Sequence, residues 1–135
     1  MANKSKSTKI TYDTFQDMKT WQEAQKLAVS VYSNLQLDNK NDDLISALRR
    51  TVLLVTTNTA RGFHKRSFEQ KITYYYSVQD SLTAFDNALL LARDLTCVTK
   101  KTFGELTEQA NTVRKMTFGV IKKLKEVVAE SDDGE

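Results

Sequence analysis

Residues 44–95 read LISALRRTVLLVTTNTARGFHKRSFEQKITYYYSVQDSLTAFDNALLLARDL, two long apolar-striped segments that meet at Arg61-Gly62-Phe63-His64-Lys65-Arg66. Apolar residues recur in both at spacings of three and four, over more residues than a strand holds, which is the pattern of packed helices. The first segment sets Leu44, Leu48, Val52, Val55 and Thr59 on one stripe, and Ile45, Leu53 and Leu54 add apolar surface outside it. A helix covered on one stripe has no use for that excess. A second covered face is therefore expected, deep in the bundle or at a subunit contact, with Ile45, Leu53 and Leu54 as the candidate oligomer-interface residues. Gly62 follows as the expected left-handed stop.

The second segment carries two stripes: Ile72, Tyr75, Val78, Leu82, Phe85, Leu89, Ala92, and Tyr74, Ser77, Ser81, Ala84, Ala88, Leu91, Leu95. Two stripes make it the central helix, and the small residues of the second allow close packing. Working outward, Thr20-Trp21-Gln22-Glu23, Ser67-Phe68-Glu69-Gln70 and Thr102-Phe103-Gly104-Glu105 each read as a capping box. The spacing predicts helices from Thr20 to Gln36, Leu44 to Arg61, Ser67 to about Leu95 and Thr102 to Ala129. In the last of these, Phe103, Leu106, Ala110, Val113, Thr117, Val120, Leu124 and Val127 keep a heptad rhythm. There is no proline, and glycine stands only at 62, 104, 119 and 134, so little interrupts the helices. The expected fold is all-α, an up-down-up-down antiparallel four-helix bundle over residues 15–129 that assembles into a ring or barrel-like oligomer. A mobile basic segment 1–14 and a disordered acidic tail 130–135 flank it.

At 135 residues, 40% hydrophobic and 27% charged, the chain makes one domain with a core that needs no staples. No apolar run approaches the roughly 18 residues of a membrane span. The basic start, Met1 to Lys6, leads into Thr8, Lys9 and Thr11 in place of an apolar signal segment. A cytoplasmic protein without a membrane partner is expected. The single cysteine, Cys97, leaves no internal disulfide and no thiol-built metal or redox centre, and is expected to be an inert, partly buried thiol. The single histidine, His64, is placed in the loop, which denies the bundle the Glu-x-x-His pairs of a di-iron site and a base for a nucleophile. No phosphate-binding glycine loop occurs. The side-chain inventory thus points to a non-enzyme with no cofactor, metal or small-molecule substrate.

The net charge of +3 is unevenly spread. Between Arg49 and Lys71 stand Arg49, Arg50, Arg61, Lys65, Arg66 and Lys71 against the one acid Glu69. Clustered base of this kind is the footprint of a polyanion site, and these six are the candidate nucleic-acid or partner-binding residues. Arg50 and Arg61, eleven residues apart on one helix, line a ridge with Thr57 between them. The competing expectation pairs the arginines with acids, such as Asp80 or Asp86 on the second segment, or with acids of a neighbouring subunit. Asp80, Asn87 and Asp94 form a solvated line, and Asn58 is a hydrogen-bonded core or interface group. Of Tyr74-Tyr75-Tyr76, a potential base-stacking run, only Tyr76 is placed for exposure.

Several stretches resemble a known family: Phe15-Gln16-Asp17-Met18-Lys19-Thr20-Trp21-Gln22-Glu23-Ala24, Leu48-Arg49-Arg50-Thr51, Asn58-Thr59-Ala60-Arg61-Gly62-Phe63, Ser81-Leu82-Thr83-Ala84-Phe85 and Leu91-Ala92-Arg93-Asp94-Leu95. They are similar to the four-helix-bundle proteins encoded in intervening sequences of bacterial 23S ribosomal RNA genes. That fold is shared with Avd, the accessory protein of diversity-generating retroelements. The resemblance implies a homopentamer in a ribonucleoprotein setting, with RNA and a reverse transcriptase as partners. The chain departs from the family pattern at Leu54-Val55-Thr56, where a Ser-Ile-Pro lead is common, and at Arg61, where a Glu is common. The second departure makes the elbow more basic.

Overall fold

The three-and-four spacing resolves into four α-helices in a computed structural model that describes residues 12–38 and 40–133. A 3-10 turn at Phe15–Asp17 precedes α1 (Lys19–Asn34), α2 (Asp42–His64), α3 (Phe68–Asp94) and α4 (Lys100–Asp133). The described residues hold no strand. The expected mobile segment 1–14 and acidic tail lie outside the described residues at 1–11 and 134–135. Glu130–Asp133, assigned to that tail, instead continue α4. No glycine or proline interrupts the chain between Gly119 and Gly134, so the last helix runs past Ala129.

Leu27 and Val31 of α1, Leu48, Val52 and Val55 of α2, Val78, Leu82, Phe85 and Leu89 of α3, and Leu106 and Val113 of α4 meet in one core, all but fully buried. Each such side chain contributes roughly 1.5–3 kcal/mol relative to exposure. α2 packs most extensively on α3, α3 also on α4, and α1 against α2 and α4. The pairs α1–α3 and α2–α4 do not approach within 8 Å between Cα atoms.

Three expectations about faces need correction. Ile45, read as surplus interface surface, is 4% exposed and belongs to the chain's own core, while Leu44 is only half-buried. α2 begins at Asp42, which carries the core face past Leu44 onto Ile45. Leu53 and Leu54 are indeed outside, 53% and 44% exposed. The second stripe of α3 is covered only in part: Tyr74, Ser77, Ser81 and Ala88 are half-buried, with Ala88 against the core, whereas Ala84, Leu91 and Leu95 are exposed.

The helix ends depart from the capping motifs at two places out of three. Ser67 does cap α3, its Oγ accepting from Gln70 N–H at 3.1 Å. Thr20 lies inside α1, buried, while Met18 sits at the N-cap without a side-chain bond. For α4 the cap is Thr99, whose Oγ1 accepts from Thr102 N–H at 3.1 Å, three residues ahead of the expected start. Asn41 precedes α2 in the left-handed region, φ 60°, without a side-chain cap bond; the helix's own Asp42 reaches back to accept from Asp38 N–H at 2.9 Å.

Gly62 is not a left-handed stop. Its φ is not positive, and α2 continues through it to His64, so the histidine is the last helical residue and not a loop residue. Its lack of a side chain serves the contact with α3: a Cβ there would stand 2.9 Å from Tyr75 Cζ and 3.3 Å from Tyr74 Cβ. The left-handed residue lies after α3 instead. Thr96, φ 57°, donates its N–H to Arg93 O, and Cys97 N–H goes to Ala92 O at 2.8 Å, a Schellman closure with a β-branched residue where glycine is favoured.

These two positions have opposite expected responses. Gly62→Ala displaces the Tyr75 ring and should destabilise by about 1–3 kcal/mol, whereas Thr96→Gly relieves left-handed strain and should stabilise by about 1 kcal/mol; urea unfolding monitored by circular dichroism measures both. Tyr75, buried with its hydroxyl 3.8 Å from Met18 Sδ, has its ionisation pushed by burial from 10.0 up to about 12. A raised folded-state value leaves its contribution intact below pH 10 and removes it as pH climbs towards 12. Tyr75→Phe should therefore lose less stability than the native chain over that window in denaturation at stepped pH.

Candidate nucleic-acid interface

Two of the six candidate bases are structural. Arg49 donates Nη2 to Leu35 O at 3.0 Å, at the end of α1, and stacks its guanidinium over Tyr32 at 4.7 Å from the ring centroid. Lys71 donates Nζ to Phe63 O at 2.7 Å and to Gly62 O at 3.2 Å, covering the carbonyls at the end of α2. A cation there also opposes the negative end of the helix dipole. Burial lowers the Lys71 ammonium from its usual value. Neither side chain is available to a phosphate without uncapping a helix.

The other four stand apart from acids. Arg50 and Arg66 are exposed and make no hydrogen bond or ion pair with described residues. Arg61 is exposed, and its Nη1 reaches Asn58 Oδ1 at 3.4 Å, which accounts for that buried amide. Lys65 Nζ lies 4.9 Å from the Tyr74 ring centroid. The ion pairs expected with α3 do not form. Asp80 is exposed, and Asp86 is taken by Arg114 of α4. Burial raises the Asp86 carboxyl and Arg114 opposes the rise.

Beside these bases the corner before α1 closes a cleft of about 470 Å³, lined by Phe15, Trp21, Thr57, Ala60, Arg61, His64 and Lys65 among others. Phe15 packs edge-on against Trp21 at 5.3 Å and against His64 at 6.0 Å. The arginine ridge thus exists in part: Arg61 and Thr57 reach the cleft, while Arg50 lies three turns away along α2. Sequence spacing did not place Phe15 here, since the 3-10 turn that brings it has no periodic signal, and Trp21 joins it from the first turn of α1.

A second basic region was also missed. On α4, Arg114, Lys115, Lys122, Lys123 and Lys125 stand against the one acid Glu126 within residues 114–126. Phe118 among them is 63% exposed. The heptad Val113, Thr117, Val120, Leu124 leaves Phe118 outside by elimination, and that was the available signal.

Asp80, Asn87 and Asp94 are all exposed. Among the described residues no group of three His, Cys, Asp or Glu is placed to hold a metal ion, and no helix is long and apolar enough to cross a membrane. Cys97 is partly buried, its Sγ receiving Asn41 Nδ2–H at 3.1 Å.

Four helices around one core, with the exposed guanidinium groups of Arg61 and Arg66 at the α2–α3 corner, define a small α-helical bundle protein with a cationic elbow. The chain belongs to the 23S rRNA-intervening sequence protein family, whose model matches residues 16–119. Comparison with curated proteins returned no match.

The division between capping and free bases has a direct readout. Lys71→Met removes a charged donor from two carbonyls and should destabilise by about 1–2 kcal/mol. Arg50→Gln and Arg66→Gln should stay within about 0.5 kcal/mol of the native chain in the same thermal or urea unfolding experiment.

Proposed function

We propose that this protein is a non-enzymatic, homo-oligomeric scaffold of the cytoplasm that holds RNA and docks a nucleic-acid enzyme, as an accessory protein of a retroelement reverse transcriptase does. The observation that carries it is the exposure of Arg50, Arg61 and Arg66 with no acid paired to them among the described residues. Exposed guanidinium groups along α2 and in the connection that follows it suit the backbone of RNA, where each phosphate neutralised releases counterions. Lys65 joins them, and Arg49 and Lys71 hold the helix ends that present them. The kinship with Avd, drawn from the resemblance, favours a pentamer. The order of helix contacts fits an up-down-up-down antiparallel bundle, and the exposed Leu53 and Leu54 fit a ring or barrel-like assembly of such bundles.

The test is the light-scattering mass of the purified protein with and without a structured RNA, at low and moderate salt. The native chain should form a pentamer that takes up RNA and releases it as salt rises. Arg61→Glu with Arg66→Glu should weaken binding at least tenfold, reduce the logarithmic salt slope by about two and leave the pentamer intact. Dissociation of the assembly by those reversals, or a pentamer indifferent to RNA, would establish a protein-only module in place of the scaffold.

A further inference from the structure

Between α3 and α4 lies a groove of about 480 Å³, separate from the elbow and lined by Tyr76, Gln79, Thr83, Arg114, Lys115 and Phe118. Tyr76 stands about two and a half helical turns along α3 from Ser67. Scattered apolar residues on a surface need no explanation. Here two aromatic rings share one depression, Phe118 63% and Tyr76 44% exposed. Lys125 places its ammonium 5.1 Å from the Tyr76 centroid.

The charge of the groove is one-sided. Lys115 lines it, and Lys122, Lys123 and Lys125 follow on the next turns of α4, all exposed. The acids on the α3 side do not neutralise them: Asp86 is held by Arg114, and Asp80 is not among the lining residues. Gln79 donates Nε2 to Arg114 O at 3.3 Å and leaves Oε1 without a donor. The occupant this chemistry fits has flat apolar faces joined by negative charges.

We infer that the α3–α4 groove is a binding site for unpaired nucleotides of a single-stranded RNA, with a base stacked on the exposed face of Phe118, Tyr76 walling the groove, and Lys115, Lys122 and Lys125 meeting the flanking phosphates. The inference rests on the RNA-binding reading for the identity of the polymer, and adds a site at which strand, and not duplex, is recognised. Stacking uses the π-face common to all bases, so the site is tolerant of sequence. Phe118 touches no core residue's role: its exposure means that replacing it leaves the bundle folded.

Fluorescence anisotropy with a short labelled oligoadenylate, run beside a labelled RNA hairpin, tests the site. Phe118→Leu keeps apolar area and removes the ring; it should weaken oligoadenylate binding about tenfold or more and hairpin binding less than threefold, while Phe118→Trp retains affinity. Lys115→Glu should weaken the same probe, and the light-scattering mass of all three variants should equal that of the native chain. Native affinity in Phe118→Leu, or no oligoadenylate binding by the native chain while the hairpin binds, overturns the groove and leaves the elbow standing. Dissociation of the oligomer by Phe118→Leu overturns it in favour of a second copy of the chain as occupant. Oligoadenylate binding without hairpin binding supports the groove and removes the elbow.

Discussion

The contact of Gly62 with the Tyr75 ring sets the geometry of this molecule. Any side chain at position 62 would press on the Tyr75 ring and on Tyr74 Cβ at the point where the α2–α3 interface begins. Lys71 then binds the carbonyls of Gly62 and Phe63, closing the end of α2 from the first turn of α3. With the ring below and the ammonium across, the connection between the helices is reduced to Lys65–Ser67. Arg61, Lys65 and Arg66 all fall on this short closure, Arg61 against Asn58 and Lys65 over Tyr74, and together they make the elbow cationic.

Much of the architecture is readable from periodicity because burial repeats with the helix. Leu48, Val52 and Val55, then Val78, Leu82, Phe85 and Leu89, then Leu106 and Val113 fall where the three-and-four rhythm puts them. The helix ends are less readable. Thr20 and Thr102 satisfy the same local motif as Ser67, yet only Ser67 caps a helix, since the motif is short and the chain is rich in hydroxyl side chains. The candidate site was legible as a cluster of bases and not as a division of labour. Arg49 and Lys71 bond carbonyls fourteen and eight residues away, and no spacing rule reports such partners. Tyr76 was identifiable as exposed, but its neighbour Phe118 lies across a helix interface that only tertiary packing brings together.

The exposed apolar surface has a consistent origin. α3 carries two stripes, of which the second is only partly covered, and Leu91 and Leu95 remain open near its end. α2 likewise leaves Leu53 and Leu54 uncovered. A chain of this size has three neighbours at most for any helix in the bundle, and the contact order leaves each helix with two. Surplus stripes therefore stay exposed on this chain, and Arg61, Lys65 and Arg66 lie between them in sequence, on the elbow that joins the two helices.

The helices are unequal in length, with consequences for motion. At 1.5 Å per residue, α4 with 34 residues spans roughly 51 Å and α1 with 16 roughly 24 Å. Burial along α4 stops at Ile121, after which Leu124, Val127 and Val128 are only partly covered. The final turns depend on their own i→i−4 bonds, which in water hold a helix only marginally. Amide hydrogen exchange along α4 will consequently form a gradient, slow where the helix is core and fast where it stands alone. One continuous helix thus joins a rigid frame to an arm whose order is set by whatever it touches.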